Sequence, residues 1–242
     1  MDDLISIYDL FIFDLDDTIV MTEIFHNKAW NIAISKELNK DYNLDFKEYC
    51  SIFHSNKKDY FKNYLNEMLN INNFLDICCK KNKIFLELIK ISIPQLNEGV
   101  EDFINKIIKN NKKFIIVSNT SKENIEYFLN MYPILKNCDK YYHKDLFINK
   151  KPNPECYLKV CDDYPNMRKI GFEDSITGIE ALYNVKEITP YFVNNKEYYH
   201  YNYILENYRN INIIENFYSN KKLICDEKFY YNKNLIYNEK NL

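Results

Sequence analysis

The sequence predicts an α/β fold: a parallel sheet flanked by helices, interrupted near its start by a block of helices alone. Three observations lead there. Apolar runs ahead of Asp14 and over 113–117, 168–172 and 188–193 read as buried strands. Amphipathic helical segments alternate with the later runs, the pattern of parallel strands joined by right-handed crossovers. Residues 22–92 show helical spacing with no strand signal, and neither Gly nor Pro occurs before Pro94.

The first strand carries the most information. Residues 8–18 read Tyr-Asp-Leu-Phe-Ile-Phe-Asp-Leu-Asp-Asp-Thr, a strand-forming run that ends in Asp14, Asp16, Asp17 and Thr18. In open α/β sheets ligands sit at the carboxyl ends of the strands. Two carboxylates two residues apart can divide labour, one attacking or binding metal and the other moving protons. Read alone, the same cluster also fits a solvated turn.

The helical block follows at once. Phe25, Ala29, Ile32 and Ala33 recur at helical spacing, as do Tyr60, Tyr64, Leu65 and Met68. Such an insert directly after a strand with a chemical tip is a candidate second domain or lid. Beyond Pro94, Val100, Phe103, Ile104, Ile107 and Ile108 form one face of a helix. The strand at 113–117 runs into Ser118-Asn119-Thr120-Ser121, and a helix with Ile125, Phe128 and Leu129 follows. Tyr141-Tyr142 reads as a short strand, and a Lys-Pro-x-Pro entry at 151–154 opens the next helix. The strand over 168–172 leads into Glu173-Asp174-Ser175; Ile179 to Leu182 begins a helix, and Ile211 to Ile214 reads as a last strand. The Tyr-, Asn- and Lys-rich end has no clear period and reads as a peripheral appendage.

Composition narrows the function. With 242 residues and 46% hydrophobic content, the chain can build a real core. A formal net charge of -3 gives no pull toward nucleic acid or an anionic membrane. The acidic Met-Asp-Asp start does not read as a signal peptide, and no apolar run reaches the ~20 residues that span a bilayer. Seven cysteines without a C-x-x-C pair read as free thiols in a reducing compartment, and four histidines at unpaired spacing make a zinc site unexpected. The three Gly and 22 Tyr are what codons of an AT-rich genome give, such as a parasite's or a large DNA virus's. A cytoplasmic location is expected, the host's cytoplasm if the chain is viral.

In a parallel sheet the strand tips converge. That brings together Asp14 and Asp16, Ser118 and Asn119, Glu173 and Asp174, with Lys150 and Lys151 between the last two tips. Several carboxylates, one lysine and a hydroxyl suit Mg²⁺ and phosphate. A carboxylate that attacks a phosphate dianion meets charge repulsion, which a lysine ammonium and Mg²⁺ offset.

The four segments resemble, in order, the four motifs of the haloacid dehalogenase superfamily. Asp14-Leu-Asp16-Asp-Thr18 matches the first, and Val117-Ser118-Asn119-Thr120 the second. Lys151-Pro-x-Pro-x-x-Tyr157 resembles the third, and Gly171-Phe-Glu173-Asp174-Ser175 with Thr177-Gly178-Ile179-Glu180-Ala181 the fourth. The insert is similar to the lid of the helical-cap branch, which includes β-phosphoglucomutase and phosphoglycolate phosphatase. Thr22, His26 and Trp30 lie where several members carry Thr, His and Trp at the cap entry.

The resemblance implies a Rossmann-like core over 1–20 and 94–217, an α-helical cap over 21–93 and a C-terminal appendage over 218–242. It implies a Mg²⁺-dependent phosphatase of a small phosphorylated metabolite, with Asp14 as nucleophile and Asp16 as acid/base. Ser118 and Lys151 would hold the transferred phosphoryl group, with Asn119 and His26 on the substrate. Asp14, the Asp16 carbonyl oxygen and Asp174 would bind the metal; Glu173 would touch the metal shell or only orient it. His26 also fits a helix-surface histidine and Trp30 a core residue. Lys151 directly precedes Pro152 and fits the motif lysine; Lys150 reads as its solvated neighbour.

Two departures bear on activity. Asp17 stands where many members have Gly. The cap segment that carries an arginine in the mutase reads His54-Ser-Asn-Lys57-Lys58-Asp59, and the only arginines are Arg168 and Arg209. Lysine replaces the charge but not the bidentate fork, so a phosphatase is expected over a phosphomutase. A dehalogenase would lack Asp16, and an idle fold kept for protein binding would be free to lose members of the set.

Overall fold

Strand β1 (Leu10–Phe13) is wholly buried and stands between β2 (Lys113–Val117) and β4 (Lys169–Glu173), parallel to both. The computed structural model describes residues 1–54, 58–194, 201–218 and 223–224. The strand order is β3-β2-β1-β4-β5-β6-β7, with β3 at Lys140–Tyr142, β5 at Ile188–Val193, β6 at Asn212–Ile214 and β7 at Leu223–Ile224. The first six strands in this order are parallel, and β7 runs antiparallel to β6.

Successive residues of a strand face opposite sides, and here both sides are covered. Phe11 and Phe13 face one layer with Phe103, Phe172 and Phe217; the Phe13 and Phe172 rings stack at 4.9 Å. Leu10 and Ile12 face the other layer with Tyr157, Val160 and Leu182. That is why the strand reads as a continuous apolar run. The flanking helices are α6 (Val100–Lys109), α7 (Lys122–Met131), α8 (Glu155–Asp163) and α9 (Ile176–Tyr183), with α10 (Tyr201–Asn207) near the β6 edge.

Among the elements not legible in the sequence, two touch the core sheet or its first helix layer. Helix α1 (Asp2–Ile7) precedes β1 and places Met1 and Ile5 in the core, with Asp2 2.7 Å from Lys106 of α6. Strand β7 lies inside the stretch read as an appendage, yet pairs Leu223 with Ile213 and Ile224 with Asn212. Six residues and two residues are too short to show a period.

The insert folds as α2 (Glu23–Leu38), α3 (Phe46–Phe53), α4 (Lys58–Leu69) and α5 (Phe74–Ile91). Their ends follow local chemistry. Asn39 takes the left-handed conformation that closes α2. Asp45 accepts from Lys47 N at 2.9 Å to start α3, and Asn73 accepts from Asp76 N to start α5. Trp30 is buried among Phe53, Phe61 and Phe74, so it belongs to the interior of the cap. Its truncation to Ala would cost about 3–5 kcal/mol.

The two chain crossings between sheet and cap run side by side. Met21 N donates to Gln95 O at 2.8 Å, and Val20 bridges Leu96. Asn97 Nδ2 donates to the carbonyls of Asp17 (3.1 Å) and Thr18 (3.3 Å), which ties the second crossing to the turn after β1.

Candidate active site

That turn begins at Asp14, whose N–H donates to Phe172 O at 3.0 Å as the last rung of the ladder. Asp17 then adopts φ 56°, a left-handed conformation that Gly enters freely and Asp more readily than most side chains. Asp here adds a function that Gly lacks. Its Oδ1 accepts from Thr22 N (2.6 Å) and Glu23 N (2.8 Å), satisfying main-chain donors at the start of α2. Thr22 Oγ1 thereby lies 2.7 Å from Asp16 Oδ1 and donates to it.

Ser118 follows β2. Its Oγ accepts from Thr120 N at 3.1 Å and lies 3.5 Å from Asp16 Oδ2. Asn119 exchanges two hydrogen bonds with the main chain of Lys151, at 3.3 and 3.4 Å. It therefore steadies the lysine loop besides lining the cavity. Lys151 is buried, whereas Lys150 is exposed. The Lys151 ammonium donates to Asp14 Oδ1 (2.5 Å) and to Val117 O (2.7 Å), and pairs with Glu173 Oε1 at 2.6 Å. Burial opposes its charge, but the Asp14 and Glu173 carboxylates outweigh that and hold it protonated.

At the tip of β4, Asp174 accepts from Thr18 Oγ1 at 3.0 Å. Carboxylate oxygens of Asp14, Glu173 and Asp174 lie within 4.8 Å of one another, and all three residues are buried. Burial pushes the carboxyls of Asp14 and Asp174 well above the usual range; Lys151 opposes the rise at Asp14, and the Glu173 carboxylate adds to it at both. Tyr157 donates to Glu173 Oε1, while Glu173 Oε2 is buried with no hydrogen-bond partner among the described residues. Gly178 packs directly on this carboxylate, and a Cβ there would collide with it.

From the cap, His26 stacks on Phe85 with ring centroids 3.9 Å apart. Lys81 Nζ lies 2.7 Å from His26 Nδ1. An ammonium only donates, so Nδ1 accepts and the ring proton sits on Nε2, 3.8 Å from Asp16 Oδ1. Glu23 forms a second cap cluster with Tyr49 and His54.

Asp14, Asp16, His26, Ser118, Asn119, Lys151 and Asp174 all line one cavity of about 420 Å³ between sheet and cap. Sequence reasoning missed Lys81, Glu23 and His54, which line it too. A signal existed for Lys81: it interrupts the buried stripe Ile77, Ile84, Phe85 and Ile89 of α5. Lys57 lies outside the described residues, as does the side chain of Lys58.

The three strand tips and the Lys151 segment now stand in one place, and the sequence profile of the haloacid dehalogenase-like hydrolases matches residues 11–186. The chain belongs to the haloacid dehalogenase-like hydrolase family. It is 26% identical over 179 residues to protein CbbY of Cereibacter sphaeroides, across 70% of this chain and 77% of that protein. Its fold is similar to CbbY from Rhodobacter sphaeroides in complex with phosphate, with a TM-score of 0.71 and 22% identity over 87% of this chain and 95% of that one. It is also similar to β-phosphoglucomutase from Clostridium difficile, with a TM-score of 0.67 and 25% identity over 88% and 93% of the two chains. These relatives include a phosphate-bound enzyme and a phosphomutase. Among the described residues of this haloacid dehalogenase-like hydrolase, no helix is long and apolar enough to cross a membrane.

Proposed function

We propose that this hydrolase is a Mg²⁺-dependent phosphatase of a small phosphorylated metabolite, working through an aspartyl-phosphate on Asp14. One observation carries the reading: Asp14 ends a buried strand with its carboxylate held by Lys151, in the same cavity as Asp16 and Ser118. The residue assignments follow from that placement, with 1–20 and 94–217 as the core and 21–93 as the cap.

The donor set fits a hard cation. Asp14, Glu173 and Asp174 bring three buried carboxylates against the single ammonium of Lys151, and Glu173 Oε2 lacks a partner among the described residues. Asp14, Asp174 and the main-chain carbonyl of Asp16 would hold Mg²⁺, with Glu173 orienting Lys151. The Asp16 carboxylate turns instead toward Thr22, Ser118 and His26, free of the three-carboxylate cluster. When bound, the ion supplies positive charge that offsets repulsion between the Asp14 carboxylate and a phosphate.

The residues then divide the work. An Asp14 carboxylate oxygen attacks phosphorus while the bond to the leaving oxygen breaks. Asp16 gives that oxygen a proton. Water next attacks the phosphoryl group; Asp16 takes a proton back, and the Asp14 carboxylate is restored. Lys151 and the Ser118 hydroxyl hold the phosphoryl oxygens, and Thr22 holds Asp16 in place.

Hydrolysis is favoured over phosphoryl transfer between positions of a sugar. A mutase retains a bisphosphate while it turns over, which calls for a strong cationic clamp in the cap. No arginine occurs in 21–93. Arg168 is bound to Asp9 at the opposite end of β1. Phosphate release from a metabolite panel, dependent on Mg²⁺ and stopped by EDTA, tests the reading. Rapid isomerisation of β-glucose 1-phosphate with almost no free phosphate would overturn it.

A further inference from the structure

We propose that Asp17 is a positioning residue for the acid/base step: it caps α2 in place of Thr22, which releases the Thr22 hydroxyl to hold the Asp16 carboxylate. This rests on the phosphatase reading and adds a residue that sets the proton-transfer geometry.

Thr22 stands directly before α2, where a threonine commonly turns its side-chain oxygen onto the first N–H groups of its own helix. Here it makes no such bond. Its backbone is in the helical region, φ -107° and ψ -20°, rather than the extended conformation from which that bond forms. The main-chain donors of Thr22 and Glu23 go instead to a residue outside the helix: Asp17 Oδ1 accepts both, at 2.6 and 2.8 Å. The Thr22 hydroxyl then gives its one proton to Asp16 Oδ1, at 2.7 Å. Asp17 and Thr22 are both buried, so the exchange of partners takes place away from solvent.

The main chain that carries the Asp17 carboxylate is itself held. Its N–H donates to Val20 O at 2.7 Å, and its carbonyl accepts from Asn97 Nδ2, on the second crossing, at 3.1 Å. Asn97 N donates in turn to Ile19 O at 2.8 Å. The carboxylate therefore has one setting relative to β1, and Asp16, its neighbour in the chain, shares that frame. Glycine would accept φ 56° more freely, so what Asp17 contributes is not the turn. With Gly at 17 the helix start would draw on the Thr22 side chain, and the extended conformation that serves the helix takes that hydroxyl away from Asp16. Asparagine would keep both properties, a side-chain oxygen that accepts and tolerance of left-handed backbone.

The test uses the full chain with Mg²⁺ and a series of aryl phosphates, from p-nitrophenyl to unsubstituted phenyl phosphate. p-Nitrophenolate leaves without a proton, whereas phenolate gains from one. A misplaced Asp16 therefore shows as a steeper dependence of kcat/KM on the leaving group. Asp17→Gly should lower kcat/KM for phenyl phosphate by about 10–100-fold, the scale of a small misplacement, and for p-nitrophenyl phosphate far less. Asp17→Asn should restore the wild-type dependence. Thr22→Val should reproduce the steeper one, and adding Asp17→Gly to it should steepen it no further. A crystal structure of Asp17→Gly should show the Thr22 hydroxyl turned onto its own helix. An equal loss across the series, a failure of Asp17→Gly to fold, or additivity with Thr22→Val would overturn the proposal, since each marks a structural role. Thr22 still bound to Asp16 in the Asp17→Gly structure, or wild-type kinetics in that variant, would overturn it as well. Absence of turnover in the wild type would instead sink the phosphatase reading, while the place of the Thr22 hydroxyl in the crystal structure still decides this one.

Discussion

Lys151 Nζ and Asp14 Oδ1 stand 2.5 Å apart in a buried pocket, although 137 positions separate them in the chain. The same ammonium holds Glu173, so one lysine balances two buried carboxylates. Lys151→Met should remove that balance. We expect kcat to fall by about 10²–10³-fold, the scale of losing a preorganised charge partner. Stability should fall by up to about 3–5 kcal/mol, the cost of breaking a buried pair. The loss should be smaller at acid pH, where Asp14 takes a proton in place of the ammonium. Steady-state kinetics and urea unfolding at two pH values check both; an unchanged rate would remove Lys151 from the mechanism.

The two aspartates of the β1 turn should separate cleanly. Asp14→Asn should abolish acid-stable phosphoenzyme and turnover together. Asp16→Asn keeps its main-chain carbonyl, so Mg²⁺ affinity should persist while the rate falls roughly 10²–10⁴-fold. Rapid acid quench with labelled substrate, alongside metal calorimetry, reads each effect. Turnover in Asp14→Asn at the wild-type rate would rule out covalent catalysis there.

Metal binding should depend on pH in a defined direction. In the metal-free protein, burial first and neighbouring carboxylates next raise the Asp14 and Asp174 carboxyls. A raised carboxyl means that the folded state binds more protons than the unfolded chain as pH climbs past the ordinary carboxylate value. Metal-free stability should therefore fall as pH rises through this window. Mg²⁺ needs the ionised groups, so its affinity should rise over the same window, with proton release on binding. Calorimetry in two buffers of different ionisation enthalpy, with thermal melts from about pH 5 to 8, gives both signs. A metal affinity that does not change with pH would contradict the raised carboxyls.

Gly178 should tolerate no side chain. Its Cβ would enter the space of the Glu173 carboxylate, which is pinned by Lys151 and Tyr157. Gly178→Ala should cost about 1–3 kcal/mol by overpacking and displace Glu173 from Lys151. Glu173→Gln combined with Gly178→Ala should be non-additive, since the residues touch. A double-mutant cycle by denaturant unfolding measures this, and simple additivity would refute the contact.

The sequence alone determined the sheet, the helical insert and the strand-tip residues. A strand buried on both faces must be apolar along its length, so its polar end is visible in one dimension. Asp14, Ser118 and Asp174 were legible for that reason, once parallel pairing brought the tips to one edge, whereas Lys151 was read from the Lys-Pro-x-Pro segment between two of the tips. Only the tertiary structure decided what the cap contributes. Helical periodicity shows which face is buried, but it does not show which neighbour that face meets. Trp30 and His26 lie four residues apart on α2, yet one fills the cap interior while the other faces Asp16. Lys81 on α5 and His54 after α3 reach the cavity through the packing of separate helices, and no local pattern records where those helices cross. Asn119 likewise reads as a substrate-binding residue beside Ser118, and only the folded loop shows it holding the main chain of Lys151. Distances across elements depend on packing, and packing is a property of the whole chain.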